Sequence, residues 1–275
     1  MPDGAALGRR LRARDLSAAP AALNLVEQRS PERQAEADAL LAELSPRALG
    51  AEGPAHLVGV TGPPGAGKSS LLSALVPVWR KRGRTVAVLA VDPSSKRSGG
   101  SLLGDRARIE HDPGDPGVLI RSTAAGDRLG GLAAPTRAAA QVLSAAFDVV
   151  VVETVGVGQS ETDVEDVVDT VLVVVQPGSG DTLQFLKAGI MEVPDILCVT
   201  KADLGEPARR ARRDLESALG SLGAPRTPVV AVSSAAPPQG VEELADALEE
   251  HRMRTDPART RPVARRQAAL ADFTA

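Results

Sequence analysis

An eight-residue segment, Gly-Pro-Pro-Gly-Ala-Gly-Lys-Ser at residues 62–69, constrains the fold more than any other feature. It matches the pattern G-x-x-x-x-G-K-[ST] in full and lies between a β-branched run at residues 56–60 and a helical pattern that opens near Lys68. In that setting the glycines let backbone N–H groups converge on phosphate oxygens at a helix N-terminus. The lysine would reach the terminal phosphates and the Ser69 hydroxyl would hold Mg²⁺. The segment therefore predicts a phosphate-binding loop.

Short β-branched runs alternate with longer segments rich in Ala, Leu and Arg from residue 56 onwards. Continuous apolar strands are typical of a parallel sheet covered by helices on both faces. The alternation predicts an α/β fold with a doubly wound, mainly parallel sheet. Pro77 lies well inside the first helix of this pattern and is expected to end or kink it. The predicted strands are residues 56–60, 85–91, 118–120, 149–152, 171–175, 196–199 and 229–232.

The two ends of the chain lack this pattern. Residues 1–54 carry apolar residues at helical spacing, and Ser30 before Pro31 is a helix-start signal, so we expect two short helices and a linker at residues 50–54. After residue 252 the strand pattern stops, and Pro257 and Pro262 interrupt any helix. We therefore predict an N-terminal helical extension (1–54), a P-loop domain (55–252) and a short C-terminal arm or tail (253–275).

Charge and cysteine content exclude several function classes. The chain has 32 Lys+Arg against 35 Asp+Glu, a net charge of −3, which gives no basic footprint for nucleic acid or an anionic membrane. Cys198 is the only cysteine, so no intramolecular disulfide can form, and His56, His111 and His251 share no ligand spacing and are expected to be core or surface residues. No apolar run is long enough to span a bilayer, and the first residues, Met-Pro-Asp-Gly followed by arginines, contain no apolar core of signal-peptide length. We expect a soluble protein of a reducing, cytoplasmic compartment.

A second motif bears on the base of the nucleotide. Residues 200–203, Thr-Lys-Ala-Asp, follow an apolar strand and resemble the [NT]-K-x-D element of GTPases. There the aspartate accepts hydrogen bonds from N1–H and the exocyclic amine of guanine, whereas adenine offers no such donor pair. A helix cap after the strand is the alternative role for Asp203. Thr200 in place of the commoner asparagine loses one amide contact, so guanine selectivity is expected and its strength is left open.

Carboxylates end two other predicted strands. Glu153 follows the run at residues 147–152 and precedes Gly156, whose N–H could swing toward a γ-phosphate. This is the chemistry of a magnesium-binding and switch element. Asp92 ends the run at 85–91 and opens a polar, glycine-rich loop that reaches Asp105. We expect both aspartates near Mg²⁺, with a helix-cap or turn role as the alternative.

Together these motifs resemble the MeaB/ArgK family of P-loop GTPases. The resemblance extends from about residue 20 to about residue 252. Family members guard adenosylcobalamin-dependent methylmalonyl-CoA mutase and related acyl-CoA mutases, gating cofactor loading and removing inactivated cobalamin through GTP binding and hydrolysis. The resemblance implies the same partner for this chain, with GTP or GDP and Mg²⁺ as ligands. It rests on residues 60–69, 91–95, 99–106, 153–161 and 187–192, and on residues 25–27 in the extension.

Residue roles follow from the motifs and this resemblance. The predicted phosphate-binding residues are Gly62, Pro63, Pro64, Gly65, Ala66, Gly67, Lys68, Ser69 and Ser70. The predicted base-binding residues are Thr200, Lys201 and Asp203, backed by Ser233, Ser234 and Ala235. The predicted metal ligands are Ser69, Asp92, Asp105 and Glu153, and the predicted catalytic residues are Lys68, Asp92, Glu153 and Gly156. A partner switch at residues 176–187 would act through Gly180, Asp181, Gln184 and Lys187.

Two departures from the family pattern concern partners. Family members commonly carry Glu-Leu-Gln-Gly-Ile where residues 182–186 read Thr-Leu-Gln-Phe-Leu, which bears on partner choice or coupling. The family's C-terminal dimerisation arm is also longer than residues 252–275, which weakens the expectation of a homodimer.

Three other functions stay open. A metallochaperone for nickel or cobalt on the same fold needs a cluster of His and Cys that the sequence does not supply. A kinase of a small substrate or transport protein needs an acceptor pocket with a base, and guanine recognition speaks against it. A regulatory nucleotide-binding scaffold without useful hydrolysis is also compatible with the sequence.

Overall fold

A computed structural model describes residues 3–27, 31–45, 49, 55–92, 109–124, 134–154, 164–165, 167–178 and 194–254. Seven strands and seven α-helices lie in these ranges, with short 3₁₀ turns at Leu16–Ala18 and Ala202–Leu204. The strands are β1 (His56–Thr61), β2 (Val86–Asp92), β3 (Val118–Ala124), β4 (Val149–Thr154), β5 (Thr170–Val175), β6 (Ile196–Val199) and β7 (Val229–Ala231). The helices are α1 (Gly4–Arg12), α2 (Ala19–Glu27), α3 (Pro31–Glu43), α4 (Lys68–Lys81), α5 (Ala134–Ser144), α6 (Glu206–Ser221) and α7 (Val241–Arg254). None of the helices in these ranges has both the length and the apolar character needed to cross a membrane.

The strands form one parallel sheet in the order β3-β2-β4-β1-β5-β6-β7. β1 lies at the centre, where Val58 is in register with Val151 of β4 and Thr170 of β5. Because the sheet grows outward on both sides of β1, the carboxyl end of β1 is the place where ligands bind in such folds. The predicted doubly wound α/β fold is confirmed.

All seven predicted strands are confirmed, most of them within one residue of the expected bounds. β4 continues to Thr154, beyond its predicted end at residue 152, and β3 differs most, since it continues to Ala124, well beyond its predicted end at residue 120. The end of this strand is polar, so a search for apolar runs does not detect it. Its residues Arg121, Ser122 and Thr123 are each paired with a residue of β2. Pairing with a neighbouring strand, which the local sequence does not report, lengthens this element.

The sheet is covered on both faces. On one face α4 and α7 bury Leu72, Trp79 and Leu244 against β1 and β4. On the other face the N-terminal helices share one apolar cluster with α5, α6 and the sheet, and Leu23 and Leu40 are fully buried there. The N-terminal helices therefore complete the core of the sheet.

The described part of residues 1–54 contains three α-helices, so the expectation of two was wrong. The extra helix, α1, begins at the N-cap Asp3, whose side chain accepts the Ala6 N–H at 2.8 Å. Glycines then let α1 approach α3 closely, because a Cβ at Gly4 would lie 1.8 Å from the Glu36 carbonyl oxygen. Three arginines, two glycines and two alanines in α1 obscured its apolar stripe, and the Asp3 cap was the signal that could have found it.

Ion pairs tie this layer to the sheet. Arg14 contacts Asp148 with an Nη2–Oδ1 distance of 2.6 Å, and Arg121 of β3 pairs with Glu27 of α2. Burial opposes ionisation of Asp148, but hydrogen bonds from Thr85 and Arg14 hold its pKa below the ordinary value. The carboxylate of Asp148 therefore joins β2, β4 and the segment after α1.

Pro77 was expected to end or kink α4, and the first alternative was wrong, because the helix continues to Lys81. A proline inside a helix lacks the N–H that would bond one turn back. Leu75, Val76 and Trp79 on either side of it are buried against the sheet, and this packing stabilises the helix through the proline.

A chain of polar side chains lies at the amino edge of the sheet, opposite the phosphate loop. His56 Nε2 and His251 Nδ1 each lie 2.7 Å from the Thr170 hydroxyl, and His251 Nε2 lies 3.2 Å from Asp195 Oδ1. Burial lowers the pKa of His56 to about 4. His56 is thus a core residue, as predicted, but the sequence spacing gave no sign that two histidines share one hydroxyl.

Candidate nucleotide-binding site

The glycine-rich loop joins β1 to α4 and needs its glycines for distinct reasons. Gly62 has φ 137° and would place a Cβ 2.1 Å from the Val174 carbonyl oxygen of β5. Gly67 is the N-cap of α4 with φ 90° and ψ 23°, a left-handed conformation that L side chains rarely adopt. The loop therefore presses against β5 and turns directly into α4, and the N-terminal N–H groups of such a helix are the ones that bind phosphate.

Lys68 folds back over this loop. Its Nζ donates to the carbonyl oxygens of Gly62 at 2.6 Å and Pro63 at 3.2 Å, and the residue is 8% exposed. A buried ammonium group needs oxygen partners, and the loop backbone supplies them. The charge is thus positioned over the phosphate cradle.

Ser69 and Glu153 meet beside the loop. The Ser69 hydroxyl donates to Glu153 Oε1 at 2.9 Å, and Glu153, at the end of β4, is in register with Val60 of β1. Glu153 is 6% exposed, so the carboxylate is held in a confined place. Hydroxyl and carboxylate oxygens are ligands that Mg²⁺ prefers, and the pair fits that ion.

The remaining predicted metal and switch residues are only partly described. Asp92 ends β2 with its backbone in register with Ala124, on a strand next to β4. Within the described ranges no three His, Cys, Asp or Glu residues form a group that could hold a metal ion. The side chain of Asp92 and the residues Asp105, Gly156, Gly180, Asp181, Gln184 and Lys187 lie outside the described residues.

Thr200 opens the predicted base-reading segment, residues 200–203, and joins it to the phosphate loop. Its hydroxyl donates to the Ala66 carbonyl oxygen at 2.6 Å and lies 3.0 Å from the Val175 carbonyl oxygen. Its N–H also donates to Val175 O at 2.8 Å, and the residue is 3% exposed. The sequence indicated only that threonine lacks the amide of the commoner asparagine. In the structure its hydroxyl fixes the phosphate loop through the hydrogen bond to Ala66.

The predicted guanine-reading side chain lies where two loops meet. Asp203 Oδ1 accepts a hydrogen bond from the Ser233 hydroxyl at 2.7 Å, and the Ala235 N–H donates to that hydroxyl at 3.2 Å. Ser233 is buried and Asp203 is exposed. The N-caps of the 3₁₀ turn Ala202–Leu204 and of α6 are Lys201 and Gly205, so the Asp203 side chain does not serve as a helix N-cap.

Lys201, between these residues, has φ 55° and ψ 42°, which is uncommon for a residue with a side chain. Its Nζ contacts Gln176 Oε1 at the end of β5. Gln176 was not predicted from the sequence to touch the base-reading segment. The contact holds the lysine across the edge of the site, beside Asp203.

These residues lie along one edge of the sheet, at the carboxyl ends of β1, β4, β6 and β7. The edge offers a backbone cradle and a lysine for phosphates, a hydroxyl–carboxylate pair for Mg²⁺, and a carboxylate for the donor edge of guanine. Fold and site together define a P-loop GTPase.

A family comparison gives the narrower class. Residues 4–274 match the model of the family described as methylmalonyl Co-A mutase-associated GTPase MeaB. The chain belongs to this family, as its motifs predicted.

Curated relatives carry related names. A probable GTPase of Mycobacterium tuberculosis is 44% identical over 250 residues, covering 88% of this chain and 73% of the relative. A putative GTPase of Pyrococcus abyssi is 48% identical over 206 residues, covering 73% of this chain and 63% of the relative, so the match spans less than two thirds of that protein. A mitochondrial methylmalonic aciduria type A homolog of Caenorhabditis elegans is 38% identical over 213 residues, or 74% of this chain and 53% of the relative.

Solved structures are similar too. A crystal structure of a LAO/AO transport system kinase superposes with a TM-score of 0.72 at 32% identity, covering 98% of this chain and 82% of that one. HypB from Helicobacter pylori in complex with nickel superposes with a TM-score of 0.56 at 19% identity, covering 80% of this chain and 97% of that one. The second likeness shows the fold alone.

Proposed function

We propose that this protein binds Mg²⁺ and GTP at the edge formed by β1, β4, β6 and β7, hydrolyses the nucleotide, and so acts as a chaperone of an adenosylcobalamin-dependent acyl-CoA mutase. The chaperone would protect or reactivate the mutase and gate its cofactor loading in the cytoplasm. The observation that carries this proposal is the match to a mutase-associated GTPase family over residues 4–274. The three-part division at residues 54 and 252, and a possible homodimer, belong to the same proposal.

Charge neutralisation would supply most of the catalysis. In phosphoryl transfer, positioning and electrostatic stabilisation do the work, with little covalent chemistry for the protein. The N–H groups at the start of α4 and the Lys68 ammonium would stabilise charge that develops on the transferred group. Ser69 and Glu153, with the predicted Asp92 and Asp105, would hold Mg²⁺, which neutralises charge on the β- and γ-phosphates when bound.

Base selection would rest on Asp203. Its carboxylate, held by the Ser233 hydroxyl at 2.7 Å, would accept both donors on the guanine edge. Adenine would leave this carboxylate without donors and place its own acceptor nitrogen against it. We therefore expect GTP to bind and ATP to be rejected.

The partner is tested by measuring GTP hydrolysis with and without adenosylcobalamin-dependent acyl-CoA mutases from the same organism. We expect the cognate mutase to raise a slow intrinsic rate several-fold. An unchanged rate with every such mutase would overturn the chaperone proposal and leave the nucleotide site untouched.

A base-switched variant makes this assay specific to the protein. An amide at position 203 can accept from N1–H and donate to the 2-oxo group of xanthine. Asp203→Asn should therefore hydrolyse xanthosine triphosphate in preference to GTP, and the mutase should stimulate that reaction. With xanthosine triphosphate as the substrate, contaminating GTPases contribute no signal to the assay.

A kinase is the second candidate, because a relative of known structure is titled a transport system kinase and is 32% identical to this chain. Transfer of labelled phosphate from a nucleoside triphosphate to a transport protein or its substrate would favour it. The assay is the same incubation with the candidate acceptor in place of the mutase, and Lys68→Ala serves as the inactive control.

A further inference from the structure

A cleft of about 400 Å³ runs along the outer side of α4, between that helix, residues near 110 and the loop that leads from β7 to α7. Ser70 and Ser73 of α4 line one end together with Glu110 and Ser234, and Lys81 lies at the other. At 1.5 Å per residue, the helix carries Lys81 roughly 16 Å from Ser70. The cleft is therefore polar at the end that adjoins the phosphate loop.

This polar end lies between the two halves of the proposed nucleotide site. Ser70 directly follows the predicted metal ligand Ser69, and Ser234 directly follows Ser233, which contacts Asp203. A nucleotide with its phosphates at the start of α4 and its base at Asp203 must place its ribose between these points. The ribose therefore meets the mouth of the cleft.

Glu110 is pinned to this mouth through its backbone. Its N–H donates to the Ser73 hydroxyl at 2.8 Å, and that hydroxyl donates to the Ser69 carbonyl oxygen at 3.0 Å. The second carboxylate of the cleft, Glu242, is already committed to Arg82 with an Nη2–Oε2 distance of 2.6 Å. Glu110 is thus the carboxylate of the cleft whose backbone is fixed one helical turn from Ser69.

We propose that Glu110 accepts hydrogen bonds from the 2′- and 3′-hydroxyl groups of the bound ribose and makes this site selective for ribonucleotides. The proposal rests on the proposed function, since it takes the nucleotide as bound between the phosphate loop and Asp203. A cis-diol presents two O–H donors, and a carboxylate presents two acceptor oxygens. Acidic side chains bind ribose hydroxyls in the same way in dinucleotide-binding folds.

The test compares GTP with 2′,3′-dideoxy-GTP by isothermal titration calorimetry in the presence of Mg²⁺. Hydrogen bonds to a charged acceptor predict that the wild-type protein binds GTP about tenfold more tightly than the dideoxy analogue. Glu110→Ala should weaken GTP binding to the level of the analogue and leave the analogue unaffected, so that the ratio falls to about one. Glu110→Gln keeps one acceptor oxygen and should give an intermediate ratio.

Glu243→Ala is the matched control, because Glu243 is an exposed glutamate of α7 that does not line the cleft. It removes the same charge from the protein and should keep the wild-type ratio. Glu110 is exposed, so its variants should unfold at the wild-type temperature, which separates an effect on ribose from a folding defect.

Three results would overturn the assignment of Glu110. The wild-type ratio could be about one, Glu110→Ala could keep the wild-type ratio, or Glu243→Ala could lose it as fully as Glu110→Ala. In each case GTP still binds and the proposed function stands. If the wild-type protein binds neither nucleotide, the proposed function fails with the assignment.

Discussion

Replacing Thr200 with valine removes one hydroxyl and keeps the branched shape of the side chain. That hydroxyl donates to the Ala66 carbonyl oxygen at 2.6 Å, and the site is 3% exposed. Val175 O keeps the Thr200 N–H at 2.8 Å, so the variant deprives one carbonyl, that of Ala66, of its donor. Because the shape is retained, the change reports the lost tether between the base-reading segment and the phosphate loop.

The size of the effect follows from burial. A buried acceptor left without its donor costs about 1–3 kcal/mol. We expect the free energy of unfolding to fall by about 1–2 kcal/mol. The remaining cost should appear on binding, because the ligand must order a phosphate loop that has become less rigid. GTP and GDP should then bind about tenfold more weakly, which corresponds to about 1.4 kcal/mol.

Urea unfolding and isothermal titration calorimetry measure the two parts. The weakening should be equal for GTP and GDP, because both use the same loop. Thr200→Ser is the matched control, since it keeps the hydroxyl and should bind as the wild type does. Wild-type affinity in Thr200→Val, or an equal loss in Thr200→Ser, would refute the tether.

Three further predictions concern other parts of the molecule. Gly62→Ala should abolish nucleotide binding in calorimetry, because its Cβ would lie 2.1 Å from Val174 O. A Cβ at Gly65 meets nothing within 4 Å, so Gly65→Ala should lower the unfolding free energy by only about 1–2 kcal/mol because of its positive φ. Equal damage from the two substitutions would contradict this geometry. Glu153→Gln should raise the Mg²⁺ concentration for half-maximal GTP binding about tenfold or more through loss of the carboxylate charge, and an unchanged requirement would place the ion elsewhere. The free energy of unfolding should fall by up to about 3 kcal/mol as the pH is lowered from 6.5 to about 4. In this pH range His56 binds a proton in the unfolded chain but not in the folded protein, where burial lowers its pKa to about 4. The urea midpoint should depend less on pH in His56→Gln than in the wild type. An identical pH dependence in that variant would contradict the role of His56.

The sheet and the phosphate loop were predictable because their signals are local. Seven apolar runs predicted the seven strands. The spacing of Gly62, Gly67 and Lys68 is typical of a loop with a strand before it and a helix after it. The polar end of β3 was missed because Arg121 to Thr123 are held by pairing with β2, which no local pattern reports.

Elements set by tertiary packing escaped the sequence pattern as well. The helix α1 depends on close contact of Gly4 with α3, and α4 continues through Pro77 because the residues around it are buried. Both features are fixed by partners far away along the chain.

The site shows the same division. Motifs marked Lys68, Ser69, Glu153 and Asp203 individually, because each residue type has chemistry that its position makes recognisable. The links between them, such as the bond from Thr200 to Ala66 and the contact of Gln176 with Lys201, join segments that are far apart in the sequence. Such links become visible only once the fold brings the residues together.

We propose that Mg²⁺ and GTP bind where β1 meets α4 and that Asp203 selects guanine. Isothermal titration calorimetry of the folded protein with GTP and with ATP, both in excess Mg²⁺, tests it most directly. We expect one molecule of GTP to bind per chain and ATP to give no saturable heat. No heat with GTP at millimolar concentration, or equal binding of both nucleotides, would contradict the claim.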